Sequence, residues 1–407
     1  MNESAAPRRR ALEVLSAFLW LGLTSFGGPI AHLGYFREEF VARRRWLTEH
    51  EYADLVALSQ FLPGPASSQV GFALGLFRAG PLGGLLAWLA FTLPSALLMI
   101  IFALTAHWFD SPLSLGVIHG LKVVAVAIVA HAVWAMARTL CPDKTRTIIA
   151  IVAIYLVVLV SGTLGQLAAI TLGAIGGLMC YRRSDLVDDN NELVSTHSRS
   201  TFALSARVGK LAGALFFVLL LVLPVLALGS GNLLLQLADV FYRVGALVFG
   251  GGHVALPLLE AELVQPGWID QADFLAGYGA AQAIPGPLFA FSAYLGVLLD
   301  PASHNFLAAI VALVAIFLPG ILLLLAVLPV WSRIRKIRSV RAMMLGANAA
   351  VVGILGAALY DPVWTSAIVL PQDFVLALTG FLLLAVWRTP SWLVVIVLAC
   401  ASGLLAL

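Results

Sequence analysis

Charge is what this chain has least of. Asp, Glu, Lys and Arg make up 11% of its 407 residues against 61% that are hydrophobic, and the mean hydropathy is +0.98. So few charges cannot cover the surface of a water-soluble domain of this length, which excludes an ordinary soluble enzyme or binding module. Cysteine is scarce as well: Cys141, Cys180 and Cys400 have neither metal-ligand spacing nor the pattern of a disulfide framework. There is no GxxxxGK[ST] stretch, and the hydrophilic segments are too short for an ATPase domain. Nothing in the sequence calls for a cofactor, a metal or a nucleic-acid partner. A signal peptide is imitated by MNESAAPRRRALEVLSAFLWLGL, but no small-x-small site follows, so this segment is expected to be retained.

What the chain has in excess is apolar runs of membrane-spanning length. They fall at about 82–108, 113–138, 146–162, 164–181, 208–229, 306–331, 340–360, 374–388 and 391–407. An all-α polytopic membrane protein follows.

One stretch occurs twice. FGGPIAHLGYFREEFVARRRWLTEHEYADLVALSQFLPGPASSQVGFALG starts at Phe26, and FGGGHVALPLLEAELVQPGWIDQADFLAGYGAAQAIPGPLFAFSAYLG starts at Phe249. Trp46 matches Trp268, Tyr52 matches Phe274, Gln60 matches Gln282, and Pro63-Gly64-Pro65 matches Pro285-Gly286-Pro287, all at an offset of 222. Farther on, FTLPSALLM at 91–99 resembles FLPGILLLL at 317–325, and Gly120 aligns with Gly346. Each copy sets Gly and Pro in the middle of apolar sequence, where proline removes a backbone donor and glycine permits a reversal. Broken or re-entrant helices are expected there.

Placement of charge orders these segments. If the broken segments return to the face they entered and the N-terminus is cytoplasmic, every Lys and Arg except Lys122 and Arg243 falls on the cytoplasmic side. The outer loops then carry only acids, Glu260, Glu262 and Asp270 among them, which is the positive-inside pattern. The run Arg43-Arg44-Arg45 reads as a solvated cytoplasmic face. A hydrophilic linker, Tyr181 to Lys210, and one extra helix separate the copies, so the second begins on the face opposite the first. The expected division is a first repeat at 1–181, a cytoplasmic linker with a connecting transmembrane helix at 182–232, and an inverted repeat at 233–407. Inverted repeats with broken helices predict a secondary transporter whose site lies where the breaks meet.

A helix restarting after such a break exposes its first N–H groups and the positive end of its dipole, which favour anions. Four restarts around one centre suit a tetrahedral oxyanion of the chromate or sulfate kind. The candidate binding residues are Ser25, Gly27, Gly28, Gln60, Pro63, Gly64, Ser67 and Ser68 in the first copy, with Gly250, Gly251, His253, Gln282 and Gly286 in the second. Thr24, Gln69, Ser292 and Tyr294 are further neutral hydrogen-bonding groups. One break alone is better explained by a packed kink; matched breaks in both copies favour a site. Lys122, with Asn348 as its mate, is a candidate mobile charge for the anion, or else a lysine that snorkels to the interface. Arg243 is expected to pair with Asp239 one turn away. His32 and His253 follow glycine breaks, whereas His107, His119 and His131 read as structural.

FGGPIAHLGYFREEFV, the Trp46 to Tyr52 spacing, ALSQFLPGPASSQ and the second-copy AQAIPGP resemble the signature of the chromate ion transporter family in its long, two-domain form. The resemblance implies a bacterial inner-membrane protein that exports chromate from the cytoplasm and confers chromate resistance, with sulfate as a related or competing ion. Phe26, Gly27, Gly28, Pro29, Gln60, Pro63, Gly64, Pro65 and their second-copy mates carry it. The second copy departs in having Gly252 in place of Pro29 and in lacking the RRRW run. A passive oxyanion channel and a membrane enzyme acting on lipid-linked phosphates stay open as alternatives. The enzyme would need a cationic or nucleophilic cluster that PGPASSQ lacks. Transport would draw on an ion or proton gradient or on exchange, and a homodimer is left open.

Overall fold

The computed structural model describes residues 7–26, 28–105, 111–160, 162–181, 204–249, 252–299, 306–334 and 337–406. Every regular element among them is helical. The first copy contains α1 (Pro7–Thr24), α2 (Gly28–Arg37, continued by a π turn over Glu38–Arg43), α3 (Glu49–Phe61), α4 (Ala66–Thr105), α5 (Pro112–Leu140), α6 (Lys144–Leu159) and α7 (Thr163–Tyr181). After α8 (Ala206–Ser230) the second copy begins with α9 (Leu233–Leu247), a 3-10 turn over Gly252–Val254, α10 (Ala255–Leu263) and α11 (Gln271–Ala283). It continues through a 3-10 turn over Leu288–Ala290 into α12 (Phe291–Leu298), α13 (Phe306–Val327), α14 (Trp331–Ile334), α15 (Arg338–Ala358), α16 (Thr365–Ala367), α17 (Pro371–Ala385) and α18 (Ser391–Leu405). Among the described residues six helices are long and apolar enough to cross a membrane, those built on α4, α5, α7, α8, α13 and α15. The chain is an all-α, multi-pass membrane protein.

Local chemistry sets matching boundaries in the two copies. α3 and α11 start and stop at the same offset of 222. Thr48 caps α3 in a reciprocal box with Glu51, and Asp270 caps α11 by accepting from the Ala272 N–H at 2.8 Å. Each helix ends on an extended residue, Leu62 or Ile284, the conformation a following proline imposes. The next glycines, Gly64 (φ 118°) and Gly286 (φ 100°), occupy backbone space that L side chains avoid.

One expectation needs correction, and α4 has a feature that the apolar runs did not mark. α4 is not one rod: at Ala79 and Gly80 the helical dihedrals fail, and its 40 residues fold into two arms, 66–78 and 81–105. The arms touch so closely that a Cβ on Gly75 would stand 2.3 Å from Gly83 O. The run expected at about 82–108 is only the second arm, and α12 and α13 are its counterpart arms. Glu260 and Glu262 are not in a loop either. They sit on α10, Glu260 buried and Glu262 bonded to Arg243. The Arg43-Arg44-Arg45 run is exposed, as expected, and Arg43 and Arg44 both donate to the buried Glu39 at 2.6 Å.

The copies interlock by exchanging a helix. α5 of the first packs against α11, α17 and α18 of the second, and α15 of the second packs against α6 and α7 of the first. Inside a bilayer apolar surface gains nothing by leaving lipid, so such contacts depend on small residues that let backbones approach. Gly346 lies against Gly173 and Gly177, and Gly120 against Ala399, with no room for a Cβ at either. α1 and α9 use the same device, Gly22 against Ala90 and Phe91 of α4, and Gly245 against Ile316 of α13. One polar bond crosses the exchange where His119 Nε2 meets Asp373 Oδ1 at 2.8 Å.

Candidate functional site

The exchange brings the two Pro-Gly-Pro turns and the two breaks together crosswise. Gly64 N–H donates to Val248 O at 2.7 Å, and Gly286 N–H donates to Ser25 O at 2.9 Å. Val248 and Ser25 are the residues immediately before Phe-Gly-Gly in their copies, so each turn is bonded into the other copy's break. Each turn glycine also rests on the other copy's helix one residue past a proline. A Cβ on Gly64 would stand 2.9 Å from Gly320 Cα beside Pro319, and a Cβ on Gly286 2.8 Å from Ser95 Oγ beside Pro94. Such reciprocity is what an approximate two-fold relation between the copies would produce.

The turn glycines spend their N–H groups on carbonyls. At the first junction the N–H groups without an intrahelical partner are those of the first turn of α4, Ala66, Ser67 and Ser68.

Around the junctions the polar shell is neutral. Ser25 O accepts a second bond from His32 Nε2 at 3.2 Å, and because a carbonyl only accepts, that nitrogen carries the proton. Several buried side-chain atoms beside the junctions have no partner among the described residues. They are Ser25 Oγ, His32 Nδ1 and Thr92 Oγ1 near Gly286, Ser68 Oγ and Gln69 Oε1 near Gly64, and Gln282 Nε2 in the last turn of α11. Each such atom costs about 1–3 kcal/mol if left unsatisfied, so the orphaned groups at each junction form an arrangement that can receive a polar guest. Of the two intramembrane cations, Arg243 is tied up in ion pairs. Arg243 donates to Asp239 at 3.1 Å, as expected, and also to Glu262 at 2.9 Å and 3.0 Å.

The predicted residues divide. Ser25, Ser67, Ser68, Gln282, Gly64 and Gly286 are buried at or next to the junctions. Gly28 opens α2 with φ 76°, and Pro63 O is bonded by Gln69. Gln60 is exposed although its mate Gln282 is 7% exposed, so the copies do not contribute equally here. Lys122 and Asn348 are half-buried, on α5 and α15 respectively. Lys122 stands in the third turn of α5. His253 bonds Tyr278 OH at 2.7 Å. Gly27, Gly250 and Gly251 lie outside the described residues, as does His107. Tyr294 spends its hydroxyl on Asp273 O, and Ser292 on Phe289 O.

Tyr278 was not among the candidates; its mate in the first copy is the apolar Val56. Ser95 and Gly320 were missed because nothing local marks a residue that another copy's glycine will touch.

The model of the family described as chromate transporter matches residues 12–179 and again 235–404. A chromate transport protein of Pseudomonas aeruginosa is 29% identical over 98% of this chain and 92% of its own length. One from Cupriavidus metallidurans is 26% identical over 98% and 94%, and a probable chromate transport protein of Synechococcus elongatus 28% identical over 84% and 81%. No solved structure matches significantly. With both matches together spanning most of its length, the chain belongs to the chromate transporter family.

Proposed function

We propose that this chain is a secondary transporter that carries chromate out of the cytoplasm across the bacterial inner membrane and so confers chromate resistance. The anion is held where the breaks of the two copies cross. The observation that carries this reading is the reciprocal pair of bonds from Gly64 to Val248 and from Gly286 to Ser25, because it joins each copy's turn to the other copy's break. There the first turn of α4 offers N–H groups, Ser25, Ser68 and Thr92 offer hydroxyls, and Gln282 offers amide N–H groups. Chromate and sulfate present only acceptor oxygens, which is what such a shell of donors satisfies.

On this reading residues 1–181 and 233–407 are inverted repeats and 182–232 the linker with its connecting helix. The helices flanking each Pro-Gly-Pro support re-entry. α3 has 13 residues, as does the first arm of α4, and at 1.5 Å per residue each is about 20 Å long, short of a hydrocarbon core of about 30 Å. A channel uses the same helix ends but gives no reason for two reciprocal junctions. The test is chromate uptake into inside-out vesicles: saturable uptake inhibited by sulfate is expected, and linear, voltage-driven conductance would reject the transporter.

A further inference from the structure

The two junctions have the same backbone bonds but not the same side chains. At the first, Gln69 reaches across. Its Nε2 donates to Pro63 O at 2.9 Å, within the turn, and to Gly320 O at 3.0 Å, on the other copy's α13. Both partners can only accept, so the amide is oriented without ambiguity. The side chain is 1% exposed and fills the contact between Gly64 and Gly320. At the second junction the equivalent position, 222 residues on, is Phe291. Ser95, which faces Gly286, turns its hydroxyl to Thr92 O of its own helix at 2.9 Å. Among the described residues no side-chain hydrogen bond joins the Pro285-Gly286-Pro287 turn to α4. The chain after that turn restarts as a three-residue 3-10 turn and the eight-residue α12, beside a cavity of about 10 Å³ lined by Tyr278, Phe289 and Ser292. The first turn instead feeds directly into a 13-residue α-helical arm.

We propose that Gln69 is a positioning residue that fixes the first Pro-Gly-Pro turn to the second copy, so that this junction stays closed through the transport cycle while the unclamped Gly286 junction opens. The proposal rests on the transporter reading above. It makes the two-fold relation one of architecture and not of motion.

Two aromatic contacts allow a direct test. Phe61 and Trp331 pack at 5.4 Å between ring centroids beside the first junction, and Phe102 and Tyr294 at 5.6 Å beside the second. Each pair is replaced by cysteines and joined with a short bismaleimide, and chromate uptake into inside-out vesicles is measured before and after. Flux is expected to survive the Phe61 to Trp331 link and to fall at least about tenfold with the Phe102 to Tyr294 link. The reverse pattern, or equal loss with both, overturns the proposal. Should a pair be inactive before linking, Gln69→Leu decides. It keeps the volume but removes both donors, and KM for chromate should rise about tenfold with an unchanged maximal rate and membrane level. An unchanged KM rejects Gln69 as a positioning residue. Absence of any chromate flux in the wild type instead defeats the transporter reading on which this proposal depends.

Discussion

Gly64→Ala adds a single methyl group where the two copies touch. Its φ of 118° lies where L side chains are strained, at about 1–3 kcal/mol. The new Cβ would also stand 2.9 Å from both Gly320 Cα and Gln69 Nε2. Forcing a methyl into packed space costs about 1–3 kcal/mol more. Backbone on one side of the clash cannot swing away, so the turn must shift and lengthen the Gly64 bond to Val248. Even the low end of the sum, about 2 kcal/mol, corresponds to roughly a thirtyfold loss if it falls on the transport-competent state. Two controls separate the terms. Gly28→Ala has φ 76° but nothing within 4 Å, and should lose only what the backbone term of about 1–2 kcal/mol takes. Gly34→Ala sits inside α2 with open space around it and should be neutral or stabilising by up to about 1 kcal/mol. Chromate uptake into inside-out vesicles, normalised to the amount of protein in the membrane, should therefore rank Gly34→Ala above Gly28→Ala above Gly64→Ala. Wild-type flux in Gly64→Ala would refute the claim that the copies are locked together at this turn.

Further consequences are open to measurement. Arg45 (φ 52°) and Gly267 (φ 80°) turn equivalent loops in the two copies. Cysteines at Arg45 and at Pro266 should react with an impermeant maleimide from opposite membrane faces, and labelling from one face ends the inversion. Arg243→Met leaves Asp239 and Glu262 without their shared cation. With Arg243 30% exposed the loss should sit near the lower end of the roughly 3–5 kcal/mol expected for a broken buried pair. Adding Asp239→Asn and Glu262→Gln should recover part of it in thermal unfolding, and no recovery would reject the ion-pair account. Asp143 caps α6 outside the membrane. Burial alone would raise its pKa, but hydrogen bonds from Tyr181 and from the Arg146 backbone and guanidinium outweigh this and pull it down to about 2. A carboxyl whose folded pKa lies below the usual value of about 3.9 stabilises fully above that value and loses the benefit as pH falls toward 2. The stability difference between wild type and Asp143→Asn in detergent should therefore be present at neutral pH and close between about pH 4 and pH 2. A difference that persists at pH 2 would contradict it.

The sequence carried the helices and the duplication because both are local signals. Apolar runs mark α5, α7, α8, α13 and α15, and PGP and FGG recur at a fixed spacing. It missed the reversal at Ala79-Gly80, since α4 is apolar on both arms and one glycine before Pro81 does not stand out from the glycines around it. Exchange of α5 and α15 is written only in which glycines find small partners, Gly346 with Gly173 for instance, and that is a pairwise fact. The site shows the same limit. The turn glycines and the buried Gln282 were legible from the repeat, yet pairing by offset gave Gln60 the same weight, although it is exposed. Repeat symmetry predicts backbone position well and side-chain environment poorly, because each copy faces different neighbours. Gln69 was legible only as one more neutral hydrogen-bonding group, and its mate is Phe291; Tyr278, whose mate is Val56, was not singled out.

The central claim is that one oxyanion is held by groups from both copies at once. Equilibrium binding of radiolabelled chromate to the purified protein tests it, comparing wild type with Ser68→Ala from the first copy and Gln282→Ala from the second. The account predicts one site per chain, weakened in each variant by about 1–3 kcal/mol, or roughly fivefold or more. Two independent sites, or a single site that ignores either substitution, would contradict it.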